Sequence, residues 1–393
     1  MAYRKYKLGD LIEQYDEINL NGEFADISDL QGINSNKYFQ ECKSNKNDID
    51  LYRYRICRHG MFSYNRATSR NGEKISIALR TGGDCVVSPS YYCFRVKDEE
   101  VLCPEYLDIW FKRPVFDRYA RFNSWGSATE FFSFDDFCAT EIMLPSISEQ
   151  RKIVHDYQVI TDRISLLQKM NEKLENIVFI HFMKMFSGAY ETDNLPPNWK
   201  AYKLGDICSV KGGKRLPADC ELTDIKSEHP YIRVRDVGAS RYVCLTDQFQ
   251  FVDEETHEAI SRYIVDTNDI IISIVGTIGL IGKIHKSLDG ANLTENCVRL
   301  TQLKHVSSDY LYYTLQYKKH TKEIELLTVG AVQAKLPIYN IQSMKIIVPP
   351  ESVLSEFQGR INAINGIVES NTIEMQKLDE LAKSFFSVIQ KGA

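Results

Sequence analysis

Apolar residues recur at alternating steps of four and three along two long stretches of the chain. A heptad stripe sustained for about five repeats is typical of helices that pack as a coiled coil. The seam positions are Ile153, Tyr157, Ile160, Ile164, Leu167, Asn171, Leu174, Val178 and His181 in the first stretch, and Phe357, Ile361, Ile364, Val368, Asn371, Met375, Leu378, Ala382, Phe385 and Ile389 in the second.

Each seam contains one asparagine, Asn171 in the first and Asn371 in the second. A buried asparagine at a seam position favours one specified helix pairing over generic packing. We therefore predict that the two helices pack on each other. The alternative, that they are core helices of two unrelated domains, would give a similar periodicity.

Turn and cap residues set the predicted limits of both helices. Pro145 and Pro349-Pro350 precede them, Ser148 and Ser355 are candidate N-caps, and Gly188 and Gly392 follow. We predict spacer helices over 148–187 and 353–393, with an exposed link at 188–198. Helices of this length span roughly 50–60 Å.

The remaining sequence contains two similar copies of one long segment. Tyr6-Lys7-Leu8-Gly9-Asp10 recurs as Tyr202-Lys203-Leu204-Gly205-Asp206. Further on, Gly126 matches Gly330 and Pro145 matches Pro349, a constant offset of 204 residues. A period this long indicates two copies of a whole domain rather than a solenoid repeat. The predicted domains cover 1–147 and 199–352.

Short β-type runs fill most of each domain. The longest apolar run, from Ile270 to Ile284, is interrupted by three glycines and a lysine, so we predict two buried strands joined by a turn. A membrane span would be longer and less punctuated. The expected fold class is mixed α/β, with an internal pseudo-two-fold repeat.

Composition narrows the function classes only slightly. The net charge of −5 argues mildly against a nucleic-acid binder, but affinity depends on where the cations lie. The ten cysteines form no C-x-x-C pair, which favours reduced thiols in the cytosol over disulfides or zinc. The first residues are basic but lack the apolar region of a signal peptide.

No catalytic motif is visible. The sequence lacks a P-loop, a dinucleotide fingerprint with correct glycine spacing, a zinc-protease helix and a nucleophile elbow. Neither Pro-Pro pair follows an acidic or amide residue, as the base-holding loop of an adenine methyltransferase requires. We expect a non-catalytic chain.

Basic and aromatic residues cluster in each predicted domain. The first domain contains Arg53, Arg55, Arg58, Arg66 and Arg70 among tyrosines, and Arg113, Arg118 and Arg121 near Trp110, Phe122 and Trp125. The second contains Lys211-Gly212-Gly213-Lys214-Arg215, with Arg233 and Arg235 close in sequence. Such groups suit phosphates and guanine edges, although each residue alone could belong to a solvated strand.

The chain resembles the specificity subunits of type I restriction–modification systems. The resemblance rests on the two Tyr-Lys-Leu-Gly-Asp openings, the strands at Gly60-Met61-Phe62-Ser63 and Asp269-Ile270-Ile271-Ile272-Ser273, and Leu144-Pro145 followed by Ser148-Glu149-Gln150-Arg151-Lys152-Ile153. It covers essentially the whole chain, twice.

This resemblance implies two target-recognition domains separated by two long antiparallel helices. Each domain would read one half of an asymmetric, two-part site in double-stranded DNA. The chain itself would hold no cofactor. Two methyltransferase (M) subunits would carry S-adenosylmethionine, and restriction (R) subunits would supply ATP- and Mg-dependent cleavage, all in the cytoplasm and without a membrane.

The same analogy nominates DNA contacts on loops of the two domains. In the first domain we expect Tyr64, Asn65, Arg66, Arg70, Ser88 and Tyr91, the last two having Asn292 and Glu295 as counterparts in the second copy. In the second domain we expect Lys211, Lys214, Arg215, Arg233, Arg235, Thr277 and Gln333. The alternatives are a related fused or methylation-only system and a coiled-coil adaptor without a DNA role.

Overall fold

The computed structural model describes residues 3–34, 36–42, 50–67, 74–126, 130–192, 194–238, 240–246, 248–330 and 334–390. The chain divides into two compact units. Unit 1 comprises Met1–Ile164 with Leu378–Ala393, and unit 2 comprises Ser165–Lys377. The two long helices each contribute one part to each unit.

The elements follow a similar order in both halves, except that helix α7 (Glu254–Ile260) of the second half has no α-helical counterpart among the described residues of the first. The strands are β1 (Arg4–Lys7), β2 (Ile12–Tyr15), β3 (Gln31–Ile33), β4 (Phe39–Glu41), β5 (Arg55–Cys57), β6 (Phe62–Asn65), β7 (Ile77–Leu79), β8 (Cys85–Val87), β9 (Tyr91–Val96), β10 (Glu141–Leu144), β11 (Lys200–Lys203), β12 (Ser209–Gly212), β13 (Pro230–Ile232), β14 (Tyr242–Val243), β15 (Gln250–Phe251), β16 (Ile270–Ser273), β17 (Ile281–Ile284), β18 (Asn292–Leu293), β19 (Cys297–Thr301) and β20 (Lys345–Val348). The helices are α1 (Leu8–Leu11), α2 (Pro104–Phe111), α3 (Pro114–Phe122), α4 (Phe134–Cys138), α5 (Ile147–Glu191), α6 (Leu204–Ile207), α7 (Glu254–Ile260), α8 (Ser308–Gln316), α9 (Lys318–Leu327), α10 (Ile338–Ser343) and α11 (Glu351–Gln390).

The sheet of unit 1 has the strand order β2-β9-β6-β7, and all its neighbours are antiparallel. Its core joins Phe62, Phe94 and Phe111 to the seam residues Tyr157 and Ile160 of α5. Phe62 and Phe94 stack with ring centroids 5.0 Å apart across β6 and β9. Burying aromatic rings of this size dominates the stability of such a core. Smaller sheets pair β1 with β10, β3 with β4 and β5 with β8.

The sheet of unit 2 repeats this arrangement. Its order is β12-β19-β16-β17, with β14 added in parallel at the edge. The hairpin β16–β17 confirms the two buried strands predicted between Ile270 and Ile284, and Gly276 and Gly279 adopt positive φ in its turn. Strand β11 pairs with β20 as β1 pairs with β10. Helices α6 and α1 directly follow β11 and β1. The internal repeat and the mixed α/β class are therefore confirmed.

The long helices run antiparallel within each unit. In unit 2, Phe186 of α5 meets Phe357 of α11 at a centroid distance of 5.1 Å, and Asn171 meets Asn371. In unit 1, Tyr157 meets Phe385 at 6.2 Å. Partner numbers fall on one helix as they rise on the other. The seam residues named from sequence are all buried or half-buried, including His181, whose neighbour Phe182 is fully buried.

Both helices begin earlier than predicted, at Ile147 and Glu351, and α5 also ends later. Helix α5 continues past Gly188 to Glu191, because Ala189 and Tyr190 are buried in the core of unit 2. Ser148 is not the cap. Ser146 precedes the helix, and its hydroxyl accepts from the Glu149 amide while the Glu149 carboxylate accepts from the Ser146 amide, at 3.4 and 3.2 Å. Ser355 likewise lies inside α11, which begins at Glu351.

Candidate nucleic-acid interface

In unit 1, Arg66 follows β6 and lies between two aromatic rings. Its guanidinium is 5.1 Å from the Phe131 centroid and 5.8 Å from the Tyr92 centroid, while the residue as a whole is exposed. Cation–π contacts of this kind orient an arginine without using its hydrogen-bond donors. No described residue takes its five N–H donors, which suit a phosphate or a base edge.

Backbone pairing of Phe131 with two other residues forms the surface beside Arg66. Phe131 pairs with both Ala67 and Trp125, through mutual backbone hydrogen bonds of 2.9 and 3.1 Å in the second case. The Trp125 side chain is 70% exposed. Arg66, Tyr92, Trp125 and Phe131 together form a surface that we call the first rim.

The other residues nominated in the first domain have different surroundings. Tyr64 is 0% exposed and stacks on Phe137 at 4.8 Å, so its nomination as a DNA contact is corrected to a core residue. Asn65 uses its side-chain oxygen to accept from the Ala67 amide. Ser88 and Tyr91 are half-buried in one turn, where the Tyr91 hydroxyl accepts from the Ile33 amide at 3.4 Å.

The second basic group of the first domain is partly internal. Arg113 is buried, stacks 4.2 Å from the Trp110 ring and donates to the Trp110 carbonyl. Burial lowers the pKa of its guanidinium to about 10. Arg121 pairs with Glu130. Arg113 and Trp110 therefore stabilise the fold rather than face solvent. Two other nominated residues, Arg70 and Gln333 of the second domain, lie outside the described residues.

In unit 2, the glycine loop after β12 lies against the segment between β18 and β19. The Gly213 amide donates to the Cys297 carbonyl at 3.0 Å, and the Lys214 amide donates to the Leu293 carbonyl at 2.8 Å. A Cβ atom at Gly213 would lie 2.0 Å from the Thr294 carbonyl oxygen. Only glycine fits this close approach. The loop presents Lys211, Lys214 and Arg215 to solvent.

Arg215 and Glu295 form the centre of this second surface. The Arg215 side chain is 81% exposed, and its Nε donates to Glu295 at 2.8 Å. Burial alone would raise the pKa of the Glu295 carboxyl, but hydrogen bonding and attraction from Arg215 hold that pKa below its usual value. The two residues line an open cavity of about 320 Å³ with Val275, Asn296, Ala334 and Lys335. We call Lys214, Arg215, Glu295 and Lys335 the second rim.

The two rims occupy the same place in the repeated fold. Lys335 pairs with Val275 and Val329 as Phe131 pairs with Ala67 and Trp125, and both Lys335 and Val329 lie at the constant offset of 204. Lys214 adds a contact of its own, with its ammonium 5.8 Å from the Tyr263 ring. Sequence reasoning missed Phe131, Tyr263 and Lys335, although the offset could have pointed from 131 to 335.

Three further nominated residues flank the second surface. Thr277 is exposed at the tip of the β16–β17 hairpin, with its carbonyl accepting from the Ser273 hydroxyl. Arg235 is exposed. Arg233 is corrected to a structural residue, because its donors are taken by Asp236, Gln250 and the Gln248 carbonyl. Asn292, named as the counterpart of Ser88, is fully buried.

A match to a family model decides the family. The type I restriction modification DNA specificity domain matches residues 17–176 and again residues 196–383, which together are most of the chain. The chain belongs to this family. The resemblance inferred from sequence is thereby confirmed, and the two matches coincide with the two copies of the repeat.

Relatives agree with this specificity-domain assignment. The chain is 24% identical over 298 residues, 70% of its length, to the type I restriction enzyme MjaIX specificity subunit of Methanocaldococcus jannaschii. It is 21% identical over 188 residues, 48% of its length, to the HindI specificity subunit of Haemophilus influenzae. The matched stretches span 66% and 40% of these relatives, less than two thirds of each. The type I restriction–modification S subunit of M. genitalium has the same fold, with a TM-score of 0.55 and 15% identity, covering 99% of this chain and 96% of that one.

Two features are absent from the described part of this specificity-domain chain. No group of three or more His, Cys, Asp or Glu side chains there is placed to hold a metal ion. Nor does any helix there combine the length and apolarity that crossing a bilayer requires.

Proposed function

We propose that this chain is the DNA-recognition subunit of a type I restriction–modification system and reads an asymmetric two-part site in double-stranded DNA. The observation that carries the proposal is the duplication of one specificity-domain fold, with an exposed rim at the same position in each copy. A single reader would need only one copy. Two copies suit a site with two halves.

The two rims differ in chemistry, so we propose that the two half-sites differ in sequence. The first rim offers one arginine among aromatic rings, which suits apolar contact with bases and bidentate hydrogen bonding. The second rim offers three cations around one carboxylate. Arg215 would donate to a guanine edge or a phosphate, and Glu295 would accept from the amino group of cytosine or adenine. Lys211, Arg235 and Thr277 would extend this second surface.

We propose that the chain is itself non-catalytic and works in the cytoplasm with other subunits. Two methyltransferase subunits would bring S-adenosylmethionine, and restriction subunits would bring ATP- and Mg-dependent cleavage. The net charge of −5 supports this division of labour, because a chain with more acidic than basic side chains gains only modest phosphate attraction by itself.

An exposed apolar stripe on α5 is where we propose that a methyltransferase subunit docks. Leu166, Met170, Ile177 and Ile180 are exposed and follow steps of four, seven and three, so they share one helix face beside the seam. Exposed apolar patches of this kind mark protein interfaces. Leu166→Glu should abolish co-purification of the methyltransferase, whereas Gln168→Glu on the opposite exposed face should leave it unchanged. Equal recovery with both variants would reject this docking face.

The decisive experiment for the function is selection from randomised duplex DNA by the complex of this chain with its methyltransferase subunits. Sequencing the bound fraction should return two short motifs separated by a spacer of unread bases. Recovery of no motif, or of one uninterrupted motif, would reject the proposal. The adaptor alternative predicts no selection at all.

A further inference from the structure

A buried network of charged and polar side chains joins the second domain to both long helices inside unit 2. Its first centre is Arg241, whose side chain is 1% exposed. Arg241 donates to the Asn365 side chain at 2.7 Å and to the Tyr313 hydroxyl at 2.6 Å. It also forms an ion pair with Glu175 at 3.2 Å. Arg241 belongs to the domain, Glu175 to α5 and Asn365 to α11.

The second centre is Asp309, at the start of α8. Its carboxylate accepts from Lys283 at 2.7 Å, from Gln358 at 2.9 Å and from Asn365 at 3.0 Å. Burial alone would raise the pKa of Asp309, but Lys283 attracts and hydrogen-bonds the carboxylate and holds that pKa below its usual value. Asn365 bonds to both centres, so the network is continuous from α5 through the domain to α11.

Such a network restricts geometry more than it adds stability. Apolar side chains slide over one another at small cost, whereas a buried charge loses several kcal/mol of solvation unless its partners are in place. An arrangement that rotates the domain on the helices would leave Arg241 or Asp309 unpaired. The domain is therefore held at one angle to the helix pair.

Three corresponding positions in the described part of unit 1 carry no such network. At the offset of 204, Asp309, Gln358 and Asn365 correspond to Glu105, Val154 and Thr161. Val154 cannot hydrogen-bond, and the Thr161 hydroxyl donates to the Tyr157 carbonyl of its own helix. There the neutral Gln150 side chain bridges α5 to the Val101 carbonyl and the Cys103 amide, both at 3.0 Å.

We propose that Arg241 and Asp309 are positioning residues that fix the angle of the second recognition domain on the helices and so restrict the DNA to one spacer length between half-sites. The inference rests on the proposed function. In the proposed function neither Arg241 nor Asp309 contacts DNA, because both side chains are buried.

The test is the spacer distribution selected by Arg241→Met from randomised duplex DNA, in the complex with methyltransferase subunits. The wild type should select one spacer length. Arg241→Met should select neighbouring lengths several-fold more often while both half-site motifs stay the same, and Arg241→Lys should restore part of the strictness. Arg233→Met is the matched control, since Arg233 is an equally paired arginine whose partners all lie within the domain.

A second variant keeps the test decisive if Arg241→Met folds poorly. Asp309→Asn conserves shape but weakens the attraction to Lys283, so it should broaden the spacer in the same way. Selection of a single spacer length by both variants would overturn the inference. Loss of the half-site motifs would also overturn it, because a positioning residue leaves the reading surfaces intact. Failure of the wild type to select a two-part motif would instead reject the proposed function.

Discussion

Asn371 of α11 donates its side-chain amide to the side-chain oxygen of Asn171 on α5, at 2.8 Å, inside the helix interface. Asn171 in turn donates to Thr372 and to the Val368 carbonyl, at 3.4 and 3.5 Å. The two asparagines are thus each other's partners across the seam. If one helix shifted by one turn along the other, both asparagines would be buried without their hydrogen-bond partners. The pair therefore specifies the register of the two helices.

Replacing one asparagine should destabilise the protein, and replacing both should not. Asn371→Leu leaves the Asn171 oxygen without its donor, and a buried unsatisfied polar group costs about 1–3 kcal/mol. The double variant Asn171→Leu/Asn371→Leu should be as stable as wild type or more stable, because apolar residues suit the seam. Urea unfolding monitored by circular dichroism measures both free energies. Additive losses in the double variant would refute this coupling.

The seams and the repeat were predictable because both are periodic in sequence. Heptad spacing fixed the helix faces, and the constant offset fixed the equivalence of the sheets. The ends of α5 were not predictable. Gly188 is a stop signal by local propensity, yet the helix runs on because Tyr190 reaches the Tyr310 hydroxyl, 3.1 Å away, in the core. Tertiary burial overrode the local signal.

The residue types of the candidate site were predictable, but which side chains face solvent was not. Tyr64 and Arg66 are two residues apart at the end of β6, yet one is core and the other exposed. The same uncertainty separated Arg233, whose side chain makes four hydrogen bonds within the domain, from the exposed Arg235. Phe131 and Lys335 each pair with one residue six positions away and with another at least sixty positions away. Such non-local partners leave no local sequence signal.

Substitutions in the two rims should weaken the reading of different half-sites. Arg66→Ala should cost about 1–3 kcal/mol on the half-site read by the first domain and leave the other motif intact, since a base-contacting arginine acts locally. Lys214→Ala with Arg215→Ala should do the reverse. Binding of duplexes that carry one mutated half-site, measured in the methyltransferase complex, separates the two effects.

The control for the rim variants is Lys304→Ala, an exposed lysine between β19 and α8 and outside both rims. It should leave both half-site affinities unchanged. Equal weakening of both half-sites by Arg66→Ala would show a general electrostatic effect instead of local reading.

Adding one methyl group at Gly213 should disrupt the loop that carries the second rim. The new Cβ would lie 2.0 Å from the Thr294 oxygen and 2.4 Å from the Leu293 oxygen, both backbone atoms that cannot move aside cheaply. Gly213→Ala should therefore lower the thermal midpoint and abolish recognition of the second half-site. Differential scanning fluorimetry and the half-site binding assay measure the two effects.

Gly359→Ala provides the opposite expectation for the same chemical change. Apart from its chain neighbours and the nearby backbone of its own helix, no atom lies within 4 Å of a Cβ built there, and the residue is exposed inside α11. Alanine is favoured over glycine in a helix by about 0.8–1 kcal/mol, so this variant should be more stable than wild type. If Gly213→Ala proved as stable as Gly359→Ala, the close approach of the loop to Thr294 would be wrong.

Stability should fall below neutral pH partly through His320. The side chain is buried in unit 2, contacts the Tyr190 ring edge-on at a centroid distance of 5.1 Å and lies 3.2 Å from the Lys345 carbonyl. Burial lowers the pKa of His320 from its usual 6.5, although the Lys345 carbonyl opposes this. The unfolded chain therefore binds a proton at a higher pH than the folded chain does. The contribution of His320 is complete above pH 6.5 and is lost as the pH falls from there toward the folded pKa.

His320→Phe should remove that part of the pH dependence. The variant loses a hydrogen bond to Lys345, which costs about 1 kcal/mol at neutral pH, but it has no proton to gain below pH 6.5. Its free energy of unfolding should consequently decline less steeply with acidification, by up to about 1.4 kcal/mol per pH unit. His155→Gln, at an exposed position of α5, should keep the wild-type slope. Parallel slopes for wild type and His320→Phe would mean that His320 takes up its proton equally in both states, which its burial beside Tyr190 argues against.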